Sequence, residues 1–387
     1  MRPGRSTRTR MSALLASAFT VAALLAAAPA QASGGVHLDY LGVQSFPNAL
    51  PFRGTTVGGL SAISYDARTG KYYVISDDRS AKNPARFYTA GIEVSPAGLK
   101  VALTGTNPWL RPDGTVFPPT STTATPPVVA PDPEGIAVNP RTGQLYWSSE
   151  GERIVPATGT PTLGDPFLRV ATTSGQYVKE LPIPKQFHLS AATVGPRQNQ
   201  TLEGLSFTPD GREFFATMED PLYQDGADPT ATSGALSRVT RYDARTGRPV
   251  AQYAYPIEPL FATPPAGSTD TNGVSEALAL GGGKLLVIER ASIFETNSWK
   301  IRLYLADTAG ATNVLSRDSL ASGPVRPLRK KLLLDLADVP GLRVDNFEGA
   351  TLGPRLPDGR RSLILVTDDN FNTAEITEFL AFAVSGL

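Results

Sequence analysis

The 387-residue chain contains no cysteine. Disulfides are therefore excluded, and so is lipid attachment through an N-terminal cysteine. Histidine is nearly absent as well, at two residues, His37 and His188. That pair, with no cysteine to help, does not make a zinc site of the usual kind. A Ser-His-Asp triad would have to use one of those two residues, and neither sits in a repeated segment. There is no G-x-S-x-G elbow; residues 273–277 (GVSEA) come nearest and lack the second glycine. P-loop and dinucleotide fingerprints are missing, and Gly281-Gly282-Gly283 reads as a hairpin turn. No charge excess exists, with 36 basic and 36 acidic residues, so nothing points to nucleic acid. After the N-terminal segment no apolar run approaches the 18 residues of a membrane helix.

That N-terminal segment reads as a secretory signal peptide over residues 1–32. Arg2, Arg5, Arg8 and Arg10 form its basic start, residues 11–30 contain the apolar stretch, and Ala30-Gln31-Ala32 is a small-residue cleavage site. Export to the extracellular space is expected. Cleavage after Ala32 removes four arginines and no acid, leaving 32 basic against 36 acidic residues. With no disulfides, stability must come from core burial, for which the remaining length is ample.

What the chain has in abundance is a repeated acidic signature. It occurs at 59–78 (GLSAISYDARTGKYYVISDD), 132–151 (DPEGIAVNPRTGQLYWSSEG), 202–220 (LEGLSFTPDGREFFATMED), 275–290 (SEALALGGGKLLVIER) and 347–369 (FEGATLGPRLPDGRRSLILVTDD). Each reads acid, Gly or Ala, a short apolar run, a turn, a second apolar run, acid. In the first, Ser61 stands where the others have the leading acid. Runs of this length around Asn-Pro-Arg-Thr-Gly or Pro-Asp-Gly turns are β-hairpins. Because hairpin strands are antiparallel, the opening and closing acids meet at the open end, about 5 Å apart. Glu134 thus pairs with Glu150, Glu203 with Glu219, Glu276 with Glu289, and Glu348 with Asp368 or Asp369, while Asp77 and Asp78 stand alone.

A second strand pair is expected after most hairpins, at 86–94, 167–180, 237–255, 301–314 and 376–384. Units of about four strands recurring along a chain are propeller blades. The expected fold is all-β, a propeller of five to six blades covering 33–387, with an acidic central face. Residues 36–46 should close the ring against the C-terminal strands, and a sixth blade could include 326–339. Helix is scarce; 272–280 is at most a short one. The segments 107–133, 220–234 and 255–271 read as long inter-blade loops.

So many carboxylates on one face repel by a few kcal/mol per neighbouring pair. Ca²⁺, a hard cation that takes oxygen ligands, is the natural counterion. No EF-hand pattern is present to supply a local Ca²⁺ loop. The expected ligands are Asp77, Asp78, Glu134, Glu150, Glu203, Glu276, Glu289, Glu348, Asp368 and Asp369. An acid at a strand end can instead cap backbone N–H groups, but capping does not demand an acid at the same register in four or five units.

These motifs resemble those of the secreted bacterial phytase-like family, also called "esterase-like activity of phytase". The elements are Gly59-Leu60-Ser61 through Ser76-Asp77-Asp78, Glu134-Gly135 with Ser149-Glu150-Gly151, Leu202-Glu203-Gly204 with Glu219, Ser275-Glu276-Ala277, and Asn346-Phe347-Glu348-Gly349 with Thr367-Asp368-Asp369-Asn370. The resemblance implies kinship with β-propeller phytases, which use Ca²⁺ in an acidic cleft to hydrolyse phosphate esters. Glu203 and Glu219, where Leu202-Glu203-Gly204 and Met218-Glu219-Asp220 form the densest acid cluster, are the candidate catalytic carboxylates. Arg79 and Arg290 are candidate phosphate clamps, with Arg153 and Lys300 as further basic residues after the signature acids. A small phosphate ester is the implied substrate and a monomer the expected state. The alternative is a non-catalytic secreted binding module whose Ca²⁺ is structural.

Overall fold

A computed structural model describes Met1 and residues 35–387, apart from Ala97 and Thr269. The expected signal peptide and its cleavage site lie outside the described residues. Among the described residues the chain forms five four-stranded antiparallel sheets. The first blade comprises Ala62–Asp66, Lys71–Ser76, Arg86–Ser95 and Gly98–Pro108. The second comprises Pro133–Val138, Leu145–Ser149, Phe167–Ala171 and Tyr177–Leu181. Leu202–Phe207, Glu213–Met218, Ala235–Asp243 and Arg248–Ile257 form the third. The fourth is built from Thr271–Gly281, Lys284–Ile293, Ser298–Asp307 and Arg329–Asp335.

The fifth blade is made from both ends of the chain. Phe347–Arg355, Arg361–Thr367 and Thr377–Ser385 supply its inner three strands. His37–Phe46 pairs antiparallel with Thr377–Ser385 as the outermost, from His37 opposite Ser385 to Phe46 opposite Thr377. This closes the ring as expected and leaves no sheet to be completed by another segment. Among the described residues there is no sixth blade: Arg329–Asp335 is the outer strand of the fourth. Two other expectations are corrected. The fourth blade's outer pair is not 301–314, because the chain loops out after Asp307 and returns at Arg329. Residues 272–280 are inner strand, not helix; the pattern there is apolar on both faces because both are buried.

The core is divided among the blade interfaces. Leu202, Leu205 and Phe214 pack on Tyr146 and Leu168 between the third and second blades. Ile63, Tyr72 and Val74 pack on Ile364, Val366 and Phe379 where the fifth meets the first. Comparable clusters fill the other three interfaces. Trp109, in the long loop after the first blade, stacks on Trp147 with ring centroids 4.6 Å apart, so that loop is anchored by aromatic burial. Distributed wedges of this kind supply the stability for which the sequence offers no disulfide.

The five first strands abut one another around the axis. Serine and threonine side chains tie them blade to blade. Ser61 Oγ donates to Pro133 O at 3.4 Å, Ser148 Oγ to Glu203 O at 2.9 Å, Ser206 Oγ to Ala277 O at 2.7 Å and Ser275 Oγ to Glu348 O at 3.2 Å. Thr351 Oγ1 accepts from Tyr65 N at 3.1 Å and completes the circuit.

Candidate functional site

The acid-Gly dipeptides become intelligible at this inner ring. In the second blade Pro133 faces Ser149 and Ile136 faces Trp147, so Glu134 and Gly135 together oppose one residue. The same bulge places Glu203-Gly204 in the third blade and Glu348 in the fifth. A bulge re-aims a side chain out of the ladder, and here it releases the glutamate at the strand's entrance. The glycine is required by close approach. A Cβ on Gly135 would collide with the Glu203 carbonyl of the next blade, and one on Gly204 would come within 2.6 Å of Glu276 Cα.

The closing acids are positioned by a recurrent backbone bond. Asp77 N donates to Gly59 O at 2.8 Å, Glu150 N to Asp132 O at 3.0 Å, Glu219 N to Thr201 O at 2.7 Å and Asp368 N to Asn346 O at 3.0 Å. Each bond ties the hairpin's exit to its entrance, so opening and closing carboxylates meet at the same end. They line a cavity of about 340 Å³ with Asp77, Asp132, Glu134, Glu203, Glu219, Glu348, Asp368, Arg79 and Arg290 in its wall. Carboxylate oxygens of Asp132, Glu134 and Glu150 all lie within 4.8 Å of one another, as do those of Glu150, Glu203 and Glu219. Glu150 is common to both groups and could serve two ions.

Seven carboxylates against two guanidiniums in the cavity wall cannot all be ionised without help. Burial, reinforced by Glu203, Asp132 and Asp77, raises the Glu134 carboxyl well above its usual range. Burial with Glu150, Glu219 and Glu348 does the same for Glu203. Asp77, Glu150 and Asp368 are raised likewise. Burial pushes Glu348 up to about 7 although Arg290 opposes it, and Asp132 to about 6 although Arg79 opposes it. Asp77 Oδ1 and Thr271 Oγ1 are buried with no hydrogen-bond partner among the described residues, and both residues line the cavity. Hard oxygen donors crowded together, their carboxyls raised by burial and mutual repulsion and partly unpartnered, fit a divalent cation.

The two arginines are themselves held by acids. Arg79 pairs with Asp132, bonds Asn199 and reaches Glu152 Oε2 at 3.4 Å. Arg290 pairs with Glu219 and with Glu348 Oε1 at 3.2 Å. Arg153 and Lys300 are engaged elsewhere, Arg153 on the Ser190 carbonyl at 2.9 Å and Lys300 on Asp335 at 2.5 Å.

Four expected ligands join neither the cavity wall nor the triads, for identifiable reasons. Asp78 turns back to accept from Ala81, Lys82 and Asn83 N and pairs with buried Arg86 at 2.6 Å. Asp369 accepts from Gly59 N and Thr377 Oγ1, both at 2.8 Å. In the fourth blade the extra bulge residue is Ser275, so Glu276 re-enters the ladder opposite Ile288. Its carboxyl takes backbone N–H groups of Ala277, Ala350 and Leu205, from three different blades, and burial pushes it up to about 8. Glu289 faces away, bonded to Tyr255 Oη at 2.8 Å and to Lys330. The fourth blade instead offers Thr271 and Arg290.

Asp132 belongs to the site although the acid pattern passed over it. The signal was present in Asp132-Pro133-Glu134, two acids on one strand entrance. Gln198, Asn199 and Gln200 also line the cavity, from a loop that carries no repeat pattern, as does Asn370, which directly follows the last signature. Neither His37 nor His188 lines it; His188 pairs with Asp165 on an exposed loop.

The family model described as "Phytase-like: Esterase-like activity of phytase" matches residues 55–371. The chain belongs to the phytase-like family. The matched span runs from the first blade through Asp368 and so includes every carboxylate of the cavity. No protein of curated function matches the chain. Among solved structures it is similar to one titled "Structure of Dos1 propeller", at 8% identity, covering 89% of this chain and 95% of that one, with a TM-score of 0.29. A second is "Dihydro-heme d1 dehydrogenase NirN in complex with DHE", at 12% identity, covering 90% and 74%, with a TM-score of 0.22. Among the described residues no helix is long and apolar enough to cross a membrane.

Proposed function

We propose that this phytase-like protein is a secreted, Ca²⁺-dependent phosphoester hydrolase. The observation that carries the reading is the pair of carboxylate triads that share Glu150 and whose other four members, Asp132, Glu134, Glu203 and Glu219, line a cavity that also holds two fixed guanidiniums. Asp132, Glu134, Glu150, Glu203 and Glu219 would hold the cations, each through one carboxylate oxygen, which leaves the second oxygen of Glu203 for a water and that of Glu219 for Arg290. Bound there, Ca²⁺ supplies charge neutralisation and Lewis acidity toward a phosphoryl oxygen. Arg290 and Arg79, kept in place by their carboxylate partners, orient the remaining phosphate oxygens through charge-assisted hydrogen bonds.

Glu203 is the better general base of the two candidates. It makes no ion pair among the described residues, whereas Glu219 is committed to Arg290. In this role Glu203 takes a proton from the attacking water as the new P–O bond forms and the ester P–O bond breaks, and the departing alkoxide takes a proton from solvent water, giving phosphate and the alcohol. Glu219 acts by fixing Arg290. The test is phosphate release from a panel of mono- and diesters, with Ca²⁺ and after metal removal. Activity that needs Ca²⁺ and is lost in Glu203→Gln supports the reading. Ca²⁺ binding without turnover of any ester would leave a non-catalytic binding module.

A further inference from the structure

The inner strands end, on the side away from the acids, around a second cavity of about 260 Å³. All five blades contribute to it, and Tyr65, Val138, Phe207, Leu278 and Leu352 give it a largely apolar wall. The wall also holds two arginines and one carboxylate. Arg68 is matched by buried Asp66 at 3.2 Å, and Arg361 is not matched. The guanidinium of Arg361 donates from Nε to Gly353 O at 3.0 Å and makes no ion pair among the described residues. Its register partner across the strand pair is another arginine, Arg355, whose bond goes to the Gly359 carbonyl at 2.6 Å. Like charges directly opposite on a sheet are destabilising, and partial burial increases the cost. Burial and Arg355 together lower the Arg361 pKa. The cavity wall therefore carries one uncompensated positive charge beside apolar surface.

We infer that this cavity is a second binding site, for a small carboxylate with an aliphatic or aromatic body, whose carboxylate pairs with Arg361. A guanidinium offers two parallel N–H donors that match a carboxylate, and the apolar wall takes the body of the ligand. The volume lies just below the usual range for drug-sized ligands, about 300–1,000 Å³, so the occupant has on the order of ten heavy atoms. Arg79 and the carboxylates of the acidic cavity are not in the wall of this one.

The probe is phenylacetate, titrated by calorimetry into full-length secreted protein freed of metal by dialysis, with phenylacetamide as the neutral isostere. Expected are one saturable site, binding of phenylacetamide at least tenfold weaker, and a loss of at least tenfold in Arg361→Gln. Arg361→Lys should retain part of the affinity, and Arg79→Gln, at the acidic end, should retain all of it. Circular dichroism establishes that each variant is folded. Absence of saturable phenylacetate binding to folded wild-type protein would overturn the proposal. So would equal affinity for the amide, or unchanged affinity in folded Arg361→Gln.

Discussion

The two ends of the inner strands are built from the same backbone and carry opposite chemistry. At the entrance, Asp132, Glu134, Glu203, Glu348 and their hairpin partners crowd carboxylates into one cavity. At the exit, Tyr65, Val138, Phe207 and Leu352 give an apolar wall with a net positive charge. The difference lies in local ladder geometry. Bulges at the entrance of three inner strands free a glutamate from the sheet, while the register shifts nearer the exit, after Ala279 and Leu352, free no carboxylate. The entrance crowds ionisable groups at a cost in local stability, and the exit is a largely apolar cavity beside one unmatched arginine.

The largest effect on stability should separate the acids that cap backbone from those that face the cavity. Asp78→Asn breaks a buried pair with Arg86 and should cost about 3–5 kcal/mol of stability. The rise in melting temperature caused by Ca²⁺ should survive it. If Asp78→Asn abolished the Ca²⁺ response without destabilising the fold, the division between caps and ligands would be wrong.

Next comes catalysis. Glu203→Ala and Glu219→Ala should each lower kcat by about 10²-fold or more, measured as phosphate release at saturating Ca²⁺. Leu352→Met, at the exit, should leave kcat within twofold. Comparable losses at both ends would point to a general effect on folding.

Metal linkage is of similar size. At a hundredfold excess over Kd, Ca²⁺ should stabilise by about 2.7 kcal/mol, which for a chain of this size is a rise of a few degrees in Tm. Glu150→Gln should remove most of that rise, since both triads use Glu150.

A smaller effect concerns pH. Folded-state carboxyls raised by burial bind more protons than the unfolded chain between their ordinary range and their raised values, so stability falls as pH rises through that window. Asp132, Glu348 and Glu276, at about 6, 7 and 8, place the window between roughly pH 4 and 8. Metal-free protein should therefore melt at a higher temperature at pH 5 than at pH 8. Saturating Ca²⁺ should reduce or reverse that slope by favouring the ionised forms. A metal-free protein more stable at pH 8 would contradict the crowding.

Much of this was legible in the sequence because the repeat ties chemistry to strand register. Hairpin pairing alone brought Glu134 to Glu150 and Glu203 to Glu219, and ring closure by the N-terminal strand followed from the need to cover sheet edges. What the pattern could not carry was the position of each bulge. Moving the extra residue from glutamate to Ser275 sends Glu276 into the ladder and a Glu289 carboxyl toward Lys330; the local trace of it is Ala277, where the other three leading glutamates are followed by glycine. Asp78 and Asp369, each adjacent to a cavity acid, point the other way because neighbouring side chains alternate along an extended chain. The unmatched Arg361 depended on a cross-strand partner that no local motif encodes.

The most direct test of the account is calorimetric titration of Ca²⁺ into metal-free protein at pH 7 in buffers of different ionisation enthalpy. The account predicts saturable binding accompanied by proton release, because carboxyls held protonated by burial must ionise to take the metal, and loss of both signals in Glu150→Gln. Absence of binding heat in every buffer, with identical melts in the presence and absence of Ca²⁺, would contradict it.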